Sequence, residues 1–302
     1  MSKFFDIIET GYENLLPFVR VRYAGTYDLA KTLDCGQCFR WERVPNSRHE
    51  TEWIGVAYGK LISVAQDGKE LIFYNVMLDE FEEIWCHYFA LDEDYEAIDL
   101  ELLENCDNPI FNKALEEGKG IRILHQEPWE AICSFIISQN NNIPRIKKII
   151  EALSSSLGSP IDAFLMDEHG AKGQIYYSFP TAKAIFFAGE EYIFSLKTGF
   201  RAKYIIDAAQ KWMTGEVNEE ELKKIEKLDD ALAYLCRVKG IGLKVASCAL
   251  LFGFERYDPF PVDVWMKRVL DKYFEKDFSP ATFGRYAGVA QQYLFDFERN
   301  SG

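Results

Sequence analysis

The chain has 302 residues, of which 48% are hydrophobic and 27% charged, with a formal net charge of −14. So large an apolar share excludes disorder for the bulk of it and leaves material for about two domains. The longest uncharged apolar runs, 131–137 and 246–252, fall far short of the roughly 20 residues of a membrane span. The opening residues lack the small-residue cleavage pattern of an export signal, so a soluble intracellular protein is expected.

In chain order, residues from about 25 to 76 read as strands. Segments 38–44 and 52–58 alternate or are β-rich, and 61–64 and 71–76 follow after Gly59-Lys60 and Asp67-Gly68 turn signals, the pattern of an antiparallel meander. Beyond Leu78 the apolar spacing becomes helical, with helices predicted over 79–89, 109–117, 128–139, 143–156, 181–187, 190–197, 201–214, 218–224, 228–235, 243–252, 263–273 and 280–298. The expected fold is α+β: a small antiparallel β-sheet domain over 1–115, then an all-helical domain over 116–302.

A negative chain argues at first sight against nucleic acid. The charge is uneven, however. Between Met77 and Asn105 there are eleven acids and no Lys or Arg, and the remainder holds 34 basic against 37 acidic residues. The acidic stretch reads as the solvated face of helices. Basic groups recur elsewhere, around Arg145 to Lys148, at Arg201 and Lys203, at Arg237, Lys239 and Lys244, and at Lys267 and Arg268. Seven cysteines suit a reducing compartment, and Cys35-Gly-Gln-Cys38 lacks the second pair a zinc site wants, so no metal or cofactor is expected.

The chemistry concentrates between the predicted helices 228–235 and 243–252. The linking segment 236–242 ends in Gly240-Ile-Gly242, the pattern of a helix-hairpin-helix. Both glycines let the backbone take up conformations closed to other residues and approach a ligand closely. The amides of the turn and of the second helix's first turn then point toward a phosphate, aided by the helix dipole; as a plain C-cap and tight turn the same residues need no ligand. Lys244 falls just inside the second helix, where the dipole disfavours an ammonium; partial burial there would favour the free amine, a nucleophile. Asp263, in Pro261-Val-Asp263, reads as the N-cap of the next helix.

Gly240-Ile-Gly-Leu-Lys-Val-Ala246 followed by Pro261-Val-Asp-Val264 resembles the helix-hairpin-helix DNA glycosylases, with the lysine of their bifunctional members. Ser138-Gln-Asn-Asn-Asn-Ile143 with Arg145, Gly36-Gln-Cys-Phe-Arg-Trp41, and Tyr286-Ala-Gly-Val-Ala-Gln291 with Phe295 are similar to motifs of the 8-oxoguanine DNA glycosylase/AP lyases. The likeness spans about residues 25 to 298, and the iron–sulfur cysteine cluster of the endonuclease III branch has no counterpart after Cys248.

The resemblance implies a set of roles. Lys244 would attack C1′ of the damaged nucleotide and form a Schiff base, with β-elimination to follow, and Asp263 would stabilise charge on the sugar. Gly36 would offer its carbonyl to N7–H of the extruded 8-oxoguanine, Phe295 and Cys248 would sandwich the base, and Gln291 would bond its Watson–Crick edge. Asn140, Arg145 and Arg201 would hold the orphaned cytosine, with Phe200 as the wedge. Gly240, Gly242 and Lys239 would grip phosphate. Each has a plainer role open to it: core packing for Phe295 and Cys248, a tight turn for Gly36, and helix capping for Asn140 to Asn142.

Three positions depart from the family pattern. Lys239 replaces the proline usual before the hairpin, Phe200 stands where a tyrosine is commoner, and Trp265 stands where animal and fungal members carry His; the last leans toward a bacterial or archaeal source. The implied partner is double-stranded DNA carrying 8-oxoguanine, bound by a monomer without a membrane, in the cytoplasm or nucleoid of a prokaryote or the nucleus of a eukaryote. The competing readings are a monofunctional glycosylase for alkylated bases, disfavoured by Lys244, and a non-catalytic DNA-binding module, for which neither Lys244 nor Asp263 is needed.

Overall fold

The computed structural model describes residues 3–300. The chain divides into two compact units: one holds the residues up to His125, Pro160–Tyr176 and those from Gln292 on; the other holds Gln126–Ser159 and Tyr177–Gln291. The division is therefore not a single cut near residue 115. Residues 160–176 and the last turns of the final helix return to the first unit.

The first unit is built on six antiparallel strands, β1 (Phe5–Glu13), β2 (Leu16–Tyr23), β3 (Trp41–Arg43), β4 (Thr51–Ala57), β5 (Lys60–Asp67) and β6 (Glu70–Tyr74), in the order β1-β2-β6-β5-β4-β3. The meander over β3 to β6 is as expected from the sequence, whereas β1 and β2 were not foreseen. Their hairpin turns through Asn14 and Leu15, both at positive φ (49° and 71°). That geometry suits a two-residue hairpin, but Leu15 in place of glycine hides it from a reading based on turn residues.

Both faces of the sheet are covered, so β4 and β6 read as continuous apolar runs rather than strict alternation. On one face Val21, Val64, Leu71 and Phe73 pack with Phe81 and Trp85 of the helical segment 78–88 and with Phe89 just after it. On the other, Ile54, Ala65, Ile72 and Tyr74 pack against Met166 and Ala171, and His169 Nδ1 lies 2.7 Å from the buried Glu52 carboxylate. The acidic stretch hides a further helix, Tyr95–Asn105, that buries Tyr95, Ile98 and Leu102; its apolar positions are sparse enough for the acids to mask the period.

In the second unit the central pair is Pro128–Ser138 and Leu243–Gly253. Gly253 lies against Ala131, close enough that a methyl group there would collide, and Phe135 stacks on Phe252 at 5.2 Å. Around the pair lie Ile143–Leu157, Ala202–Thr214, Leu228–Leu235 and Val264–Tyr273. The single helix expected over 280–298 is instead a 3-10 segment, Pro280–Tyr286, broken at Gly284 (φ 68°), and then an α-helix, Ala287–Asn300. Gly288 fits there because Leu251 and the Pro259 carbonyl leave no room for a side chain.

Candidate active site

The hairpin forms as its glycines suggest, but the two glycines do different work. Gly240 is at φ 84°, and a Cβ on it would fall on the Tyr204 ring, so both backbone and packing demand glycine. Gly242 is extended, with φ −101°, and a Cβ there would meet nothing within 4 Å. The expectation of a restricted conformation therefore fails at Gly242. What its missing side chain supplies is open space before the helix Leu243–Gly253, whose N-terminus carries no side-chain cap. Such an end presents unsatisfied N–H groups and the positive end of the dipole outward.

Lys239 also differs from a proline in a concrete way. Its N–H donates to Asp207 Oδ2 at 2.7 Å, which ties the start of the turn to the helix Ala202–Thr214, while its side chain is exposed.

Lys244 is half-buried in the first turn of the helix, its Nζ 5.8 Å from the centre of the Phe135 ring. Cys248, one turn further along and 4% exposed, is pushed up by burial, opposed by the neighbouring Lys244 charge and a hydrogen bond from it, while Asp263 pushes it further up. Lysine, thiol and carboxylate thus share one neighbourhood. Asp263 is also the cap it was expected to be: its carboxylate accepts from Met266 N at 2.8 Å at the head of Val264–Tyr273. Lys244 further lines a cavity of about 660 Å³ with Ser247, Phe260, Val262 and Arg285. Gln291 is buried, and no hydrogen bond holds its side-chain amide among the described residues. Trp265 is exposed, with the Arg268 guanidinium 6.0 Å from its ring centre.

The three asparagines separate by function. Asn142 caps Ile143–Leu157, accepting from Arg145 N at 3.0 Å. Asn141 Nδ2 donates to the Ile137 carbonyl, 3.1 Å away, at the end of the preceding helix. Capping therefore accounts for two of them. Asn140 is different: it is exposed, at φ 47°. Arg145 is exposed as well, and Phe200 is 49% exposed.

Arg201, in contrast, is 2% exposed. Its guanidinium points inward, onto the carbonyls of Gln139, Asn140 and Thr198, rather than out toward a base.

In the first unit, Gly36 is at φ 81° between two peptides fixed by buried amides. Gln292 Nε2 donates to the Cys35 carbonyl at 2.8 Å. Gln37, wholly buried, donates to the carbonyls of Thr32 and Arg122 at 2.7 Å each and accepts from Leu124 N at 2.8 Å. These two glutamines escaped the sequence reading; a long amide in an apolar run was the available signal. The Cys35 thiol, pushed up to about 12 by burial, and Cys38 are buried and in no disulfide. Phe295 is half-buried in the part of the last helix that belongs to this unit.

Comparison with known proteins agrees with this geometry. Residues 21–132 match the family model described as 8-oxoguanine DNA glycosylase, N-terminal domain, and residues 133–280 the HhH-GPD superfamily base excision DNA repair protein. The N-glycosylase/DNA lyase of Saccharomyces cerevisiae is 31% identical over 82% of this chain and 68% of its own length. Among solved structures, MBOgg1 in complex with a low-affinity DNA ligand is 39% identical over 99% of both chains, with a TM-score of 0.86. The Clostridium acetobutylicum 8-oxoguanine glycosylase/lyase, bound to double-stranded DNA containing cytosine opposite 8-oxoguanine, is 36% identical over 98% of this chain and 99% of that one, also with a TM-score of 0.86.

Proposed function

The chain belongs to the 8-oxoguanine DNA glycosylase/lyase family, and on that premise we propose how its own residues carry the reaction. It is a base-excision repair enzyme, an N-glycosylase with DNA lyase activity that acts on duplex DNA containing 8-oxoguanine.

In the proposed reaction the lesion leaves the stack and Lys244 Nζ, as the free amine, attacks C1′. The C1′–N9 bond breaks, the departing base takes a proton, and the amine loses its surplus proton. Opening of the sugar ring gives an imine between Nζ and C1′. Loss of a C2′ proton then expels the 3′-phosphate, and water returns the lysine. The Asp263 carboxylate stabilises the positive charge on the sugar at the stage where it is greatest.

Gly36, its flanking peptides fixed by Gln37 and Gln292, offers its carbonyl to N7–H of the oxidised base. Normal guanine would set two acceptors face to face, a penalty of about 1–3 kcal/mol. Cys248 and Phe295 pack on the faces of the base and Gln291 bonds its edge. Asn140 and Arg145 read the cytosine opposite, Phe200 fills the stack, and Gly240, Gly242 and Lys239 hold phosphate without reading sequence. All these groups come from one chain, which supports action as a monomer. Seven cysteines outside any disulfide support an intracellular location.

The observation that carries the reading is Lys244 in the first turn after a glycine hairpin, sharing the Cys248 neighbourhood with Asp263. Lys244→Gln keeps a polar side chain at that turn. It should bind lesion-containing duplex nearly as the parent does while base release falls by at least ~10³-fold. Base release at the parental rate would overturn the mechanism.

A further inference from the structure

Two loops of the second unit are expected to act on DNA at different strands, the Asn140 turn on the opposite base and the Phe200 loop in the stack. A single side chain joins them. Arg201 Nε donates to the Gln139 carbonyl at 2.9 Å, one terminal nitrogen donates to the carbonyls of Gln139 and Asn140, the latter at 3.0 Å, and the other reaches the Thr198 carbonyl at 3.2 Å. The guanidinium also lies 4.4 Å from the centre of the Phe200 ring.

Among the described residues no carboxylate pairs with Arg201. Backbone carbonyls alone compensate its charge, and Arg145 is near enough to act on it as a like charge. Two of the carbonyls it holds, those of Gln139 and Asn140, follow the end of Pro128–Ser138, where a cation is favoured.

Both loops carry backbone that needs holding. Asn140 is at φ 47°, and in the Phe200 loop Lys197 is at φ 66° and Gly199 at φ 62°. Lysine enters the left-handed region at a cost that surrounding structure must offset. Asparagine enters it more readily, so at Asn140 the Arg201 contacts fix the turn rather than offset strain.

We propose that Arg201 is a positioning residue that clamps the Asn140 turn to the Phe200 loop, so that reading of the opposite base and entry of the wedge are one coupled event. The inference rests on the functional reading above. It differs from a direct contact between Arg201 and cytosine, because here the guanidinium acts through Asn140 and Phe200.

The test is single-turnover base release from duplexes with 8-oxoguanine opposite cytosine or opposite adenine, with a 2-aminopurine beside the lesion to report unstacking. Arg201→Lys keeps the charge but cannot span three carbonyls. It should lower the cytosine-over-adenine preference roughly tenfold and reduce the aminopurine signal in parallel. Combined with Asn140→Ala, it should lower the preference no further than the stronger single variant.

A fold defect alone would reduce active protein without moving the ratio. An unchanged ratio, a lost preference with full unstacking, or additive losses would each overturn the clamp. Phe200→Ala, at an exposed position, gives a second route if Arg201→Lys does not fold. Coupling predicts a lowered cytosine preference, and an unchanged one contradicts it. Parent enzyme releasing no 8-oxoguanine from either duplex would instead overturn the functional reading, and the clamp with it.

Discussion

Two turns of the second unit join helix pairs and are both assigned to DNA in the proposed function, yet they are stabilised by opposite means. The hairpin turn carries its own solution. Gly240 adopts φ 84° without a side chain, packed on Tyr204, and the Lys239 amide is tied to Asp207. The Asn140 turn places a side chain at φ 47° and depends on Arg201, 61 residues away, to hold its carbonyl. On the proposed function, the difference follows from the task. Gripping phosphate needs bare backbone, which glycine supplies. Reading a base needs a side chain at the exposed point of the turn, so glycine is not available and a tertiary contact takes its place.

The contrast can be broken most severely at Gly240. Gly240→Ala combines a left-handed backbone with a collision against Tyr204 and should destabilise the protein by roughly 2–4 kcal/mol, read as a lowered denaturation midpoint. Asp263→Asn keeps an N-cap acceptor while removing the charge. Its melting temperature should stay near the parent's while base release falls by about 10²-fold, so parallel losses in both would mean that capping was its main work. Asn142→Ala removes only a cap and should cost about 1 kcal/mol with the cytosine-over-adenine preference intact; a shifted preference would draw Asn142 into recognition. Gly242→Ala should change stability by less than about 1 kcal/mol, since its Cβ meets nothing. It should nevertheless weaken duplex binding, because a methyl group would then stand between the helix amides and phosphate.

The same contrast decides what was legible in the sequence. Gly240, Lys244 and the Asp263 cap are local signals: residue type and spacing state the geometry, and the structure realises it, whereas Gly242 is extended. The turns after β4 and β5 are local signals too, with Gly59 at φ 69° and Gly68 at φ 57°. The β1–β2 hairpin was hidden because Leu15, 78% exposed, occupies a conformation that composition assigns to glycine or asparagine. Helix Tyr95–Asn105 was hidden because charge dominates its sequence while only three positions are buried. Arg201 was legible as a basic residue and not as a clamp, since its partners lie on a distant turn. Gln37 and Gln292 share that property: they orient the peptides around Gly36 through contacts between segments far apart in the chain.

The most direct measurement is borohydride trapping on a duplex carrying one 8-oxoguanine opposite cytosine, with unmodified guanine as the control and peptide mapping of the adduct. The account predicts a covalent protein–DNA adduct on the lesion duplex alone, mapped to Lys244. Base release with no adduct, or an adduct at another lysine, would contradict it.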